Sequence, residues 1–195
     1  MQMAIASFDR FMTEKDLVRQ LIRDAQTGDV HSFERLVVLH EQRVLRLAQR
    51  LLLNREAARD AAQEVFLRLY RKLSSVQPDK ELGAWLYRLT VNVCFDVLRK
   101  MKNEQPMDLT AECVASANDP EQSAAARQHQ VLLLNALQKL SPRERQVIVL
   151  RDLEGHSTAE TAHLLGSSET TVRSQISTAR VKLKSFLAGS MGKER

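Results

Sequence analysis

Residues 155–183 read GHSTAETAHLLGSSETTVRSQISTARVKL, and the chemistry they offer is recognition rather than catalysis. Thr170, Ser174, Ser177 and Thr178 carry short hydroxyls, Arg173 stands among them, and Arg180, Lys182 and Lys184 follow. Hydroxyls of this length can reach base edges or phosphates, and the cations can hold a nucleic-acid backbone. Two helices must present them. Ser157 and Glu160 form a capping box that starts the first, which carries a narrow apolar stripe of Ala159, Ala162 and Leu165. Gly166 then supplies the permissive backbone of a tight turn. The second helix starts near Ser167 or Ser168, and its Val172, Ile176, Ala179 and Leu183 recur at spacings of four, three and four. They share one face and must pack inward, which turns the hydroxyls out. This is the pattern of a DNA-binding helix-turn-helix; a plain helix pair exposing Ser and Thr to water is the alternative.

The rest of the composition narrows the function classes. In 195 residues, 44% are hydrophobic, 5% aromatic and 27% charged, with a net charge of +5. Scarce aromatics and glycines disfavour strands, so the fold expected is all-α. A basic balance favours a polyanionic partner without demanding one. Cys94 and Cys113 lack CxxC spacing, and the five histidines are scattered. No metal site, cofactor site or disulfide framework is indicated, and reduced thiols are the default. His156 and His163 are expected in surface or capping roles. The N-terminal MQMAIASFDRFM is a poor secretory signal, and no later run reaches about 18 apolar residues. A soluble, cytoplasmic protein without membrane insertion is expected, and no catalytic constellation is present.

Helical periodicity organises the chain into two domains. A first helix over residues 13–25 is capped by Thr13 and buries Leu17, Leu21 and Ile22, with Gly28 and Asp29 closing it. A second carries Phe33, Leu36, Val37, Val44, Leu47, Ala48 and Leu51. Asn54 can cap a third, with Ala62, Val65, Phe66, Leu69 and Leu73 inward. After the polar loop SSVQPDKELG, a helix over residues 84–100 turns Trp85, Leu86, Leu89, Val93 and Val97 to the core. These make a four-helix bundle. Residues 1–12 read as an N-terminal extension, 13–100 as the first domain, 101–118 as a flexible linker, 119–187 as the second domain and 188–195 as a tail. In the second domain Asp119, Pro120 and Gln122 start a helix buried through Leu132, Leu133, Leu137 and Leu140. Ser141, Pro142 and Glu144 repeat the capping device, and a helix over residues 146–152 leads into the helix-turn-helix.

Two segments carry a resemblance. DAAQEVFLRLYRKL (residues 60–73) followed by WLYRLTVNVCFDVLRK (residues 85–100) closely resembles region 2 of bacterial sigma factors, and LSPRERQVIVLRDLEGHSTAETAHLLGSSETTVRSQI resembles region 4. With only a short linker between them, the layout is similar to the extracytoplasmic-function (ECF) group. The resemblance implies that residues 60–73 dock on the clamp helices of core RNA polymerase. Asp60, Gln63, Glu64, Phe66 and Leu67 would be the contacts, the polar ones suited to basic partners. It implies that the loop before the fourth helix reads the minus-10 element and pockets a flipped base. Arg88 and Asn92 belong to that surface, and Arg99 and Lys100, with Lys102, follow the backbone. Trp85 could wedge a melting pair, but its place in an apolar stripe favours the core.

In region 4, Thr171, Arg173, Ser174, Ser177 and Thr178 match the minus-35 reading positions. The departures are Arg59, where the family usually has an acid, Gln175, where arginine is frequent, and Ser177 and Thr178, where an aromatic and an arginine can stand. Fewer cations imply weaker DNA anchoring by this domain alone, so the tether to polymerase must supply effective concentration. The partners implied are core polymerase, promoter DNA and an anti-sigma factor. A free-standing operator-binding regulator and a helical adaptor or small enzyme are the rival classes. Residues 1–11 lie outside the resemblance.

Overall fold

The structure, a computed structural model, describes residues 13–78, 82–103 and 124–191. It divides into two compact units, one of Met1–Ala48 with Glu56–Pro106 and the other of Gln49–Arg55 with Met107–Arg195. Among the described residues every regular element is helical: α1 (Glu14–Gln26), α2 (Val30–Leu52), α3 (Arg55–Lys72), α4 (Leu82–Asn103), α5 (Ala124–Gln138), α6 (Pro142–Ile148), α7 (Thr158–Leu164) and α8 (Glu169–Met191). The expected helix start at Asp119, most of the linker, and Cys113 lie outside the described residues. Met101, Lys102 and Asn103 extend α4 instead of beginning the linker.

In the first unit, local signals set the helix ends. The Thr13 hydroxyl accepts the Asp16 N–H, and at the far end of α1 Gly28 takes φ +101°. There the Gly28 N–H reaches Ala25 O and the Asp29 N–H reaches Asp24 O, which satisfies two carbonyls that a helix end leaves open. Asp29 then starts α2 by accepting from the His31 N–H and the Ser32 hydroxyl. In α3, Ala58, Ala61, Val65 and Leu69 are buried at spacings of three and four, so one face enters the core.

The buried face of α4 differs from the expected one. Leu86 and Val93 are buried, but Trp85, Leu89 and Val97 are only half-buried, while Leu82, Thr90, Val91 and Cys94 go inside. The arc is rotated by roughly 75° because its middle holds a residue an apolar count passes over. The Thr90 hydroxyl donates to Leu86 O at 2.7 Å, which removes the cost of burying it. Burial also pushes the Cys94 thiol up to about 12, leaving it a neutral core side chain.

The second unit packs α8 against α5, α6 and α7. Both expected capping boxes are formed, Ser141 with Glu144 and Ser157 with Glu160. Three details differ from expectation. Leu132 is exposed and Leu133 half-buried, while Leu134 joins Leu137 in the core. The helix expected over residues 146–152 changes at Val149 into a π-helical turn, Val149–Leu153, closed by the Glu154 N–H on Val149 O. In α7, Ala159 is exposed and Thr161 is buried beside Ala162, its hydroxyl donating to Ser157 O at 2.9 Å. A threonine that returns its proton to the preceding turn packs like an apolar residue.

Candidate promoter-binding and polymerase-binding surfaces

The turn between α7 and α8 fixes the candidate DNA-reading helix. Gly166 takes φ +54°, its N–H reaches His163 O, and the Ser167 N–H reaches Ala162 O. These bonds close α7 with a Schellman motif, and Ser168 opens α8 two residues later by accepting the Thr171 N–H at 3.1 Å. From α6, Arg143 donates to Leu165 O at 2.9 Å, so a neighbouring helix also holds the turn. Val172, Ile176 and Ala179 are buried, and Thr170, Thr171, Arg173, Ser174, Ser177 and Thr178 are exposed. All five candidate minus-35 residues are therefore on the surface of one helix, with Ser174 opposite the buried line and Ser177 and Thr178 about 130° to either side of it.

The cations near them are less free than their spacing suggests. Arg173 donates to Glu169 at 2.6 Å, Arg180 forms two bonds to Asp152 at 3.0 and 2.9 Å, and Lys182 reaches both oxygens of Glu144. The Arg180 hydrogen bonds hold the Asp152 carboxyl below its ordinary value. His163 is exposed, and His156 is half-buried with Glu160 4.0 Å away.

On α3, Asp60, Gln63 and Leu67 are exposed in consecutive turns, with Glu64 half-buried beside them. Glu64 accepts from Arg68 at 2.7 Å, a bond that lowers its carboxyl pKa. Phe66 is half-buried, off the centre of this face. Sequence reasoning missed Tyr70, which is 61% exposed one turn beyond Leu67 and meets Phe33 edge-on. The face is thus acidic and amide at one end and apolar at the other.

Arg88 and Asn92 are exposed one turn apart on α4, and Arg99 and Lys100 are exposed farther along, Arg99 beside Asp96 at 3.1 Å. At the start of α4, an open hollow of about 620 Å³ is lined by Lys72, Ser75, Val76, Gln77, Leu82, Ala84, Trp85 and Arg88. Trp85 is therefore a wall of this hollow rather than a core residue. A tryptophan, hydroxyl and amide groups and two cations line it. The rim is fixed by a residue the sequence did not flag: Gln26 of α1 donates both amide hydrogens, to Leu73 O and Val76 O, each at 2.8 Å. A glutamine facing two carbonyls some fifty positions away leaves no local pattern to read.

The family model described as Sigma-70 region 2 matches residues 36–104, and that described as Sigma-70, region 4 matches residues 130–183. The chain belongs to the sigma-70 family. Within it the chain is an ECF sigma factor, a subunit that gives RNA polymerase its promoter specificity: it is 32% identical to the ECF RNA polymerase sigma factor SigM of Mycobacterium tuberculosis, over 86% of this chain and 83% of the relative. It is 26% identical to ECF sigma factor SigW of Bacillus subtilis, over 88% and 97%. Among solved structures it is similar to CnrH in complex with the cytosolic domain of CnrY, with a TM-score of 0.56, 28% identity and coverage of 89% of this chain and 99% of that one. The fold also matches RpoE from Bartonella quintana, solved with the anti-sigma factor NepR, with a TM-score of 0.58, 23% identity and coverage of 82% and 98%. Among the described residues no helix is long and apolar enough to cross a membrane.

Proposed function

We propose that this sigma factor docks on core RNA polymerase through Asp60, Gln63, Glu64, Phe66 and Leu67 of α3. It then melts and reads the minus-10 element with Arg88, Asn92, Arg99 and Lys100, and reads the minus-35 element with Thr171, Arg173, Ser174, Ser177 and Thr178. It acts in the cytoplasm and carries no catalysis of its own, since polymerase makes and breaks the bonds. One observation carries the proposal: a single chain holds both a recognition helix with short polar groups outward and a separate helix whose acid and amide face suits a basic protein partner. A free-standing operator-binding regulator has no use for the second.

The hollow beside Trp85 is where an unpaired base of the minus-10 element would lodge, the indole supplying a stacking surface and Arg88 a phosphate contact. Control by an anti-sigma factor is part of the proposal, supported by the similarity to CnrH, which was solved with the cytosolic domain of CnrY. Reconstitution tests the whole: purified protein, core polymerase and candidate promoters in run-off transcription. Promoter-dependent transcripts that require the added protein are expected. Failure to bind core enzyme would sink the proposal in favour of an independent DNA-binding regulator.

A further inference from the structure

Arg180 and Lys182 stand on opposite flanks of α8. At 100° per residue, Arg180 lies about 75° to one side of the buried line through Val172, Ile176 and Ala179, and Lys182 about 85° to the other. Each meets a carboxylate from a different preceding element. Arg180 Nε and Nη2 donate to Asp152 Oδ2 and Oδ1 in a two-bond fork from the π-helical turn. Lys182 Nζ donates at 2.8 and 2.9 Å to the two oxygens of Glu144 in α6. Both carboxylates are held independently of α8. Glu144 Oε2 also accepts the Ser141 N–H within its capping box, and Asp152 Oδ1 also accepts from Arg151. The Glu144 side chain is 9% exposed, so its position is set by packing as well.

We infer that Arg180 and Lys182 are positioning residues, a two-sided ionic clamp that sets the roll of the recognition helix, rather than contacts to DNA phosphates. The inference rests on the minus-35 role proposed for α8. Partly exposed pairs of this kind contribute little to stability, but a forked arginine restricts orientation. Roll matters here because the reading side chains are short. A rotation of about 15° moves a group 5–6 Å from the axis by roughly 1.5 Å, which breaks a hydrogen bond from a serine that has no length to compensate. The clamp thereby fits a reader built on Ser174, Ser177 and Thr178, and it accounts for two cations that would otherwise be assigned to the backbone.

The test uses the full chain assembled with core polymerase, measuring transcription from a promoter and from minus-35 variants of it, and holoenzyme binding across a salt series. Arg180→Gln is expected to reduce the preference for the matched minus-35 element about threefold or more, with Lys182→Gln acting in the same direction. The dependence of binding on salt should be unchanged. Reversing the pair, Asp152→Arg with Arg180→Asp, should restore the preference. A parallel loss on all promoters, with the slope of log affinity against log salt reduced by about 1, would make Arg180 a phosphate contact and overturn the clamp. An unaltered preference in Arg180→Gln, or no recovery in the reversed pair, would overturn it as well. If the unmodified protein is indifferent to the minus-35 element, the role of α8 itself fails, a result separable from the others because it needs no variant.

Discussion

Gln26 and Arg173 illustrate how much single side chains carry. Gln26 ties α1 to the backbone just after α3, at the rim of the hollow that contains Trp85 and Arg88. Gln26→Leu keeps the volume and removes both bonds. The freed carbonyls can take water, so the cost should sit near the low end for lost hydrogen bonds, about 1 kcal/mol, or roughly a fivefold loss of order at that rim. The expected outcome is less promoter opening, read by permanganate reactivity of unpaired thymines, with core binding unchanged; weakened core binding would place Gln26 in general folding instead. Arg173 is exposed, and its 2.6 Å partner Glu169 is on the same helix, so the pair is worth little and DNA can compete for the guanidinium. Arg173→Ala is expected to lower promoter use chiefly through the minus-35 element. A dependence on the minus-35 element that Arg173→Ala leaves unchanged would refute that role.

Elements are where sequence and structure can be compared most directly. The capping boxes at Ser141 and Ser157, the Thr13 cap and the turns at Gly28 and Gly166 were legible because each is settled within a few residues of itself. The face of α8 was legible over Val172, Ile176 and Ala179, which keep helical spacing without polar interruption, while Leu183, expected on the same line, is only half-buried. What was not legible involves a polar residue buried with a local partner, as at Thr90 and Thr161, or a partner distant in sequence, as for Lys182 with Glu144. The π-helical turn belongs to the same class: a regular apolar run through Val147, Ile148, Val149 and Leu150 gives no sign of the extra residue. That turn places Asp152 against Arg180, and its carboxyl is held below the ordinary 3.8 chiefly by the Arg180 hydrogen bonds. A carboxyl lowered by folding stabilises the folded state above its unfolded value and loses that contribution as pH falls through the folded value. Asp152→Asn should therefore slightly destabilise α8 at neutral pH, the effect being small because Arg180 is exposed, and the gap to the unmodified protein should close as pH falls below about 3.8. An NMR melt followed on α8 amides measures it; a gap that persists in acid would show that packing, not charge, is lost.

At the scale of the whole molecule, the proposal assigns core binding to α3 and minus-35 reading to α8, and the two roles can be separated in one variant. The α3 face holds Asp60 and Glu64 one turn apart, with Leu67 42% exposed and Tyr70 beyond them. Basic partner residues would meet the acids, and the apolar end would supply the desolvated contact that gives such an interface its affinity. Arg59 is also exposed, next to Asp60, so part of the electrostatic attraction is offset and the remaining carboxylates matter more. Asp60→Ala with Glu64→Ala removes both, and two exposed charges at the usual worth of surface pairs should weaken core binding by about twofold to thirtyfold, most clearly at low salt. The variant should retain the unmodified protein's minus-35 preference once enough core enzyme is added to saturate it, because α8 is untouched. That combination, a right-shifted titration with an unchanged promoter preference at saturation, separates docking from reading. Loss of both together would mean that the α3 face supports the fold of the chain rather than its grip on polymerase.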